Sequence, residues 1–129
     1  MAEMLRFDQT AFYYPQGRWG LEETSLEIGS GEGVLVTGPS GSGKSTFTRC
    51  LTGLIPHLYR GELKGEVWLG EHKTENTPLW QLAEKAGLVF QNPAGQILAE
   101  SVEDEIIFGL ENLGLTNTEI EARLDSALT

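Results

Sequence analysis

Nine consecutive residues, Gly38-Pro39-Ser40-Gly41-Ser42-Gly43-Lys44-Ser45-Thr46, satisfy the phosphate-binding pattern G-x-x-x-x-G-K-[ST] at every position. Each residue type has a chemical reason to be there. Gly38, Gly41 and Gly43 can take backbone angles closed to other residues, so successive N–H groups can converge on one anion. A polyphosphate held this way would also face the N-terminus of the following helix, where unpaired N–H groups and the helix dipole favour negative charge. Lys44 adds a mobile ammonium for the β- and γ-phosphates, and the Ser45 hydroxyl is placed to ligate Mg²⁺.

Such a loop works only between a strand and a helix, and the flanking sequence supplies both patterns. Val34-Leu35-Val36 is an apolar run of the kind found in a buried parallel strand. Phe47, Cys50, Leu51 and Leu54 recur at helical spacing, with Gly53 and Pro56 as stop signals. Thr77-Pro78 opens a further helix whose apolar stripe is Leu79, Leu82, Ala83 and Ala86. Leu88-Val89-Phe90 reads as a second buried strand, ending at Gln91-Asn92-Pro93. Residues 34–56 and 77–91 are therefore expected to form a nucleotide-binding core. Around it, Leu5 and Phe7, then Thr24, Leu26 and Ile28, then Val67 and Leu69 alternate with polar neighbours. These predict antiparallel strands in 1–33 and 60–72, with Gln16–Gly20 as a turn. From Ser101 the pattern is helical. Val102, Ile106, Leu110 and Leu113 share a face, Gly114 interrupts it, and Thr116-Asn117-Thr118-Glu119 fits a capping box before Ile120, Leu124 and Leu128. The expected fold class is α/β: a partial parallel sheet with helices, N-terminal antiparallel strands, and the start of a helical subdomain over 92–129.

Composition narrows the function. The formal charge is −10, and residues 86–129 carry eight acids against the single base Arg123. That balance argues against nucleic acid, whose binding needs a basic surface. No apolar run is long enough to cross a bilayer, and no charged-then-apolar leader is seen, so a cytoplasmic protein is expected. The single cysteine, Cys50, lies on the apolar helix face and reads as a packed side chain. His57 and His72 lack metal-ligand spacing, and Trp19, Trp68 and Trp80 read as packing residues.

Several separated stretches together resemble the ATP-binding subunits of ABC transporters, and most of all the energy-coupling-factor and cobalt-type importers. Tyr13-Tyr14-Pro15 is similar to the aromatic loop that stacks on adenine. Gly38–Thr46 is the phosphate loop of a P-loop NTPase. Leu54-Ile55-Pro56-His57 with Gly61 resembles the segment after the first helix. Gly87 to Pro93, with Gln96, Val102-Glu103-Asp104-Glu105, Phe108-Gly109 and Glu111-Asn112-Leu113-Gly114, resembles the Q-loop and the helix behind it. The resemblance implies that Tyr14 stacks on the base, with Tyr13 as the fallback. It implies that Gly38, Pro39, Ser40, Gly41, Ser42, Gly43, Lys44, Ser45 and Thr46 hold ATP, and that Ser45 and Gln91 complete the Mg²⁺ and water shell. It gives Gln96 a sensing role and places Phe108 in a groove that receives a helix of the membrane subunit. The implied partners are a second ATP-binding subunit, in a head-to-tail dimer, and a transmembrane subunit. The implied site of action is the inner face of the cell membrane, driving uptake of a vitamin or a transition-metal ion.

These 129 residues contain no LSGGQ-like signature, no apolar strand ending in Asp-Glu, and no switch histidine. Two buried strands are also few for a P-loop core. The chain is thus expected to be the N-terminal portion of a larger ATPase domain, catalytically incomplete alone. The competing readings are a non-catalytic nucleotide-binding or regulatory remnant, and another P-loop enzyme such as a kinase or GTPase. The GTPase base-reading motif is not seen.

Overall fold

The computed structural model describes residues 4–129, so the first three residues of the expected β region 1–33 lie outside the described residues. The chain divides into two compact units, Met1–Leu88 and Val89–Thr129.

The first unit is built on a four-stranded antiparallel sheet of order β2-β1-β3-β4. Strand β1 (Leu5–Tyr14) turns through Pro15–Gly17 into β2 (Arg18–Ile28), and pairs on its other edge with β3 (Glu62–Leu69). β4 (His72–Lys73) completes the edge. The alternating residues lie as the period of two demands: Leu5, Phe7, Val67 and Leu69 are buried, whereas Asp8, Glu23, Ser25 and Glu27 are exposed. β1 does not stop after Phe7. It continues past an irregularity at Gln9, whose φ is 45°. Gly65 faces that irregularity from β3 at φ 71°, where a Cβ would collide with the Asp8 and Gln9 carbonyls. The buried Thr10 hydroxyl donates to Glu66 O at 2.7 Å and so satisfies a carbonyl in the disturbed ladder.

Helix α1 (Lys44–Leu51) lays Phe47 and Cys50 against this sheet, and the Phe7 and Phe47 rings stack with centroids 4.6 Å apart. Phe12, Ile55 and Leu82 close the same core. Gly53 takes up a left-handed conformation just past α1, where the sequence marks a stop, and the short α2 (Leu54–His57) follows. α3 (Leu79–Ala83) begins one residue later than the Pro78 start expected, with Leu82 fully buried.

Two expected strands do not form. Val34, Leu35 and Val36 have no ladder partner and are 50%, 87% and 43% exposed. Leu88-Val89-Phe90 is likewise not a strand, with Val89 77% exposed. A strand buried on both faces needs neighbours on its edges and helices on its faces, and among the described residues neither segment finds them. All strand pairs described are antiparallel. Trp80, expected to pack, is 68% exposed on α3.

The second unit holds α4 (Val102–Asn112) and α5 (Asn117–Leu128). Ser101 caps α4 by accepting from the Asp104 N–H, and Thr116 with Glu119 forms the expected capping box on α5. Ile120 and Leu124 are buried, but Val102, Leu113 and Leu128 are exposed, so only part of each apolar stripe is covered.

Candidate nucleotide site

The phosphate loop leads directly into α1. Gly43 precedes the helix at φ 97°, Lys44 is its first residue, and the Phe47 N–H donates to Gly43 O at 2.8 Å. Gly43 is constrained twice. Its φ is left-handed, and a Cβ there would stand 2.8 Å from Gly20 O of β2. The loop therefore lies close against the hairpin that supports it. Gly41, at φ 81°, gives the bend its second left-handed residue, and Ser42 N–H donates to Pro39 O across it.

Lys44 folds back over the loop. Its Nζ donates to Gly38 O at 2.6 Å and Pro39 O at 2.8 Å, with a longer contact to Ser42 Oγ at 3.3 Å. An ammonium has three donors and no acceptor. Two of them brace the bend, and the third is the one most easily redirected to a phosphate oxygen. Ser40, Ser42 and Ser45 are not buried, while Thr46 is buried beneath the loop. The donor set fits Mg²⁺ only together with a nucleotide. Ser45 offers one hydroxyl, and no group of three or more His, Cys, Asp or Glu among the described residues could hold a metal by itself.

Tyr14 is held at both its hydroxyl and its ring. Arg49 of α1 donates to Tyr14 Oη at 2.8 Å, and the Tyr14 and Thr46 hydroxyls share a hydrogen bond at 3.0 Å. The Arg18 guanidinium covers the Tyr14 ring at 4.9 Å, and Phe12 meets it edge-on. Tyr13 stacks under Lys64 at 5.5 Å. Sequence reasoning misses Arg49, which lies one turn beyond Thr46 and so reaches the same phenol, while its guanidinium also rests on Tyr59 at 4.3 Å. Cys50 is packed as expected, and burial pushes its thiol pKa up to about 12.

The Q-loop-like stretch belongs, from Val89 on, to the second unit. Gln91 is exposed, just ahead of the short turn Pro93–Gln96. Gln96 has a structural role, since its Oε1 accepts from the Phe90 N–H at 2.8 Å and closes the turn. Glu105 reaches back from α4 to accept from the Leu98 and Ala99 N–H groups, at 2.9 and 2.7 Å, a role the sequence does not reveal. Phe108 is 49% exposed. With Leu98, Ala99, Asp104, Ile107 and Glu111 it lines a groove of about 370 Å³ that combines apolar side chains with the acids Asp104 and Glu111.

A glycine loop packed against a hairpin and braced by its own lysine at the head of a helix is the arrangement of the P-loop class. The ABC transporter family profile matches residues 21–129, and the chain belongs to that family. Proteins named as ABC transporter ATP-binding proteins are similar to it. One from Methanosarcina acetivorans is 45% identical over 108 residues, covering 84% of this chain and 17% of its own length. One from Pyrococcus horikoshii is 41% identical over 126 residues, covering 97% of this chain and 44% of its own length. The structure of CbiO1 from Clostridium perfringens, described as part of the ABC transporter complex CbiONQ, matches with a TM-score of 0.82 and 27% identity, over 99% of this chain and 50% of that one. The fold is thus α/β and that of an ABC ATPase. The chain spans half or less of the length of these relatives.

Proposed function

We propose that these residues bind Mg-ATP for an ABC importer of the energy-coupling-factor or cobalt type, in a peripheral subunit on the inner face of the membrane. One observation carries the reading: Lys44 Nζ arches over the glycine bend onto Gly38 O and Pro39 O, at the N-terminus of α1. Loop amides and the helix terminus hold the phosphates, Lys44 redirects a donor to them, and Ser45 joins the cation's shell. Mg²⁺, when bound with the nucleotide, would supply positive charge against its phosphates, with Ser45 and Gln91 the residues that would hold it. Gln91 is proposed to orient water or cation, as an amide can without titrating. No helix among the described residues is long and apolar enough to cross a membrane. CbiO1 is described as part of a transporter complex. By that likeness the Phe108 groove is proposed to receive a membrane subunit, and a second ATP-binding subunit to complete the hydrolytic site.

The 129-residue chain alone is expected to bind Mg-ATP weakly at most and not to turn it over, because it holds no signature and no Asp-Glu element. Phosphate release by the purified chain should stay at the level of its Lys44→Ala variant. Steady turnover abolished by Lys44→Ala would refute the incompleteness. For the groove, Phe108→Ala in the full-length subunit should weaken coupling to the membrane subunit at unchanged ATP affinity, and unchanged transport would remove Phe108 from that role.

A further inference from the structure

Arg49 joins three parts of the first unit at the end of the phosphate loop. Its Nη1 donates to Tyr14 Oη at 2.8 Å, and the same phenol shares a 3.0 Å hydrogen bond with Thr46, the last residue of the loop. Thr46 and Arg49 stand three residues apart on α1, so both reach one target from one helix face. The guanidinium is half-buried and lies 4.3 Å over the Tyr59 ring, and among the described residues no carboxylate pairs with it. Tyr14 is thereby fixed at both ends of its ring. β1 sets the Cβ end, the two hydrogen bonds set Oη, and the Gly20 backbone lies against one edge, since a Cβ there would stand 2.9 Å from Tyr14 Cε2. Arg18, an exposed residue, covers the ring at 4.9 Å. An exposed cation–π contact is weaker than base stacking, so a base can take its place.

We propose that Arg49 is a positioning residue for the nucleotide: by holding the Tyr14 hydroxyl it sets where the base-stacking ring stands relative to the phosphate loop. The proposal rests on the reading that the loop binds a nucleotide whose base stacks on Tyr14. Arg49 touches neither base nor phosphate and acts through the phenol alone. A ring fixed in advance loses no side-chain freedom when a base settles on it, whereas a ring anchored only through β1 would have to be ordered by the ligand. Tyr59 in turn keeps the guanidinium aimed at the phenol, which is the support a precise site requires.

The test separates the base from the phosphates. The full chain is titrated by NMR, which reads weak affinities, with Mg²⁺ present and with either ATP or inorganic tripolyphosphate, which has the phosphates but no base. Arg49→Met should lower ATP affinity about fivefold and leave tripolyphosphate affinity unchanged. Arg49→Lys, which keeps a donor for the phenol, should recover most of the loss. In a Tyr14→Phe chain, which keeps the ring but has no hydroxyl to hold, adding Arg49→Met should cost no further ATP affinity. Equal loss of both ligands in Arg49→Met would make the arginine a general support of the fold and overturn the proposal. So would unaltered ATP affinity, or full additivity of Tyr14→Phe and Arg49→Met. The underlying readings fail differently. Unaltered ATP affinity in Tyr14→Ala would remove the stacking ring and this proposal with it, and an unsubstituted chain that bound neither ligand would remove the phosphate-loop reading as well.

Discussion

The two units bury their apolar residues to very different extents. The first packs Phe7, Phe12, Cys50, Ile55, Val67 and Leu82 into one fully enclosed cluster, and its phosphate loop is tied to that cluster through α1. The second buries only Ile120 and Leu124 among its large side chains, and leaves Val89, Leu98 and Val102 at 77%, 75% and 70% exposure. Local devices take the place of a core there: the Ser101 cap, the Thr116–Glu119 box and the Glu105 clasp. The contrast teaches where each function must draw its precision. A rigid sheet and helix can hold a phosphate site in advance, whereas a region with uncovered apolar surface is suited to acquire its final packing on a partner.

Substitutions can break that contrast. The largest effect is expected at Phe12, where truncation to alanine should cost about 3–5 kcal/mol of stability in denaturant unfolding. Val102→Ala, in the second unit, should change it by no more than about 0.5 kcal/mol. Similar losses at the two sites would mean that the second unit has a core as complete as the first.

A smaller effect is expected at the α5 cap. Thr116→Ala should cost about 1 kcal/mol and lower the helical circular-dichroism signal. The cap also carries a pH signature. Hydrogen bonds from the Thr116 N–H and hydroxyl hold the Glu119 pKa below its usual 4.5, more than burial raises it. A depressed folded pKa gives stability that is present above the unfolded value and lost as pH falls through the folded one. The helical signal of α5 should therefore weaken on acidification below about pH 4.5, and Thr116→Ala should reduce that dependence. An unaltered acid profile in the variant would assign it to another carboxylate.

The sequence shows local chemistry well and tertiary partners poorly. The glycine loop, the α1 face, the Gly53 stop and the Thr116–Glu119 capping box are readable because residues within a turn of one another determine them. The apolar runs Val34–Val36 and Leu88–Phe90 have strand composition, but composition does not specify the neighbouring strand a ladder requires. Trp19 reads as packing from sequence, yet it is 40% exposed, because a lone tryptophan carries no local sign of whether a neighbour covers it. Arg49 and Glu105 escape a sequence reading because a charged side chain on a helix looks solvated until its target is seen.

The central claim is that the Gly38–Thr46 bend holds a nucleotide's phosphates with Lys44 as its cation. Calorimetric titration of Mg-ATP into the chain and its Lys44→Ala variant tests it most directly. The account predicts weak but measurable binding that falls about tenfold or more in the variant, the cost of removing a charge-assisted contact of about 1.5–3 kcal/mol. Equal affinities in the two proteins would contradict it.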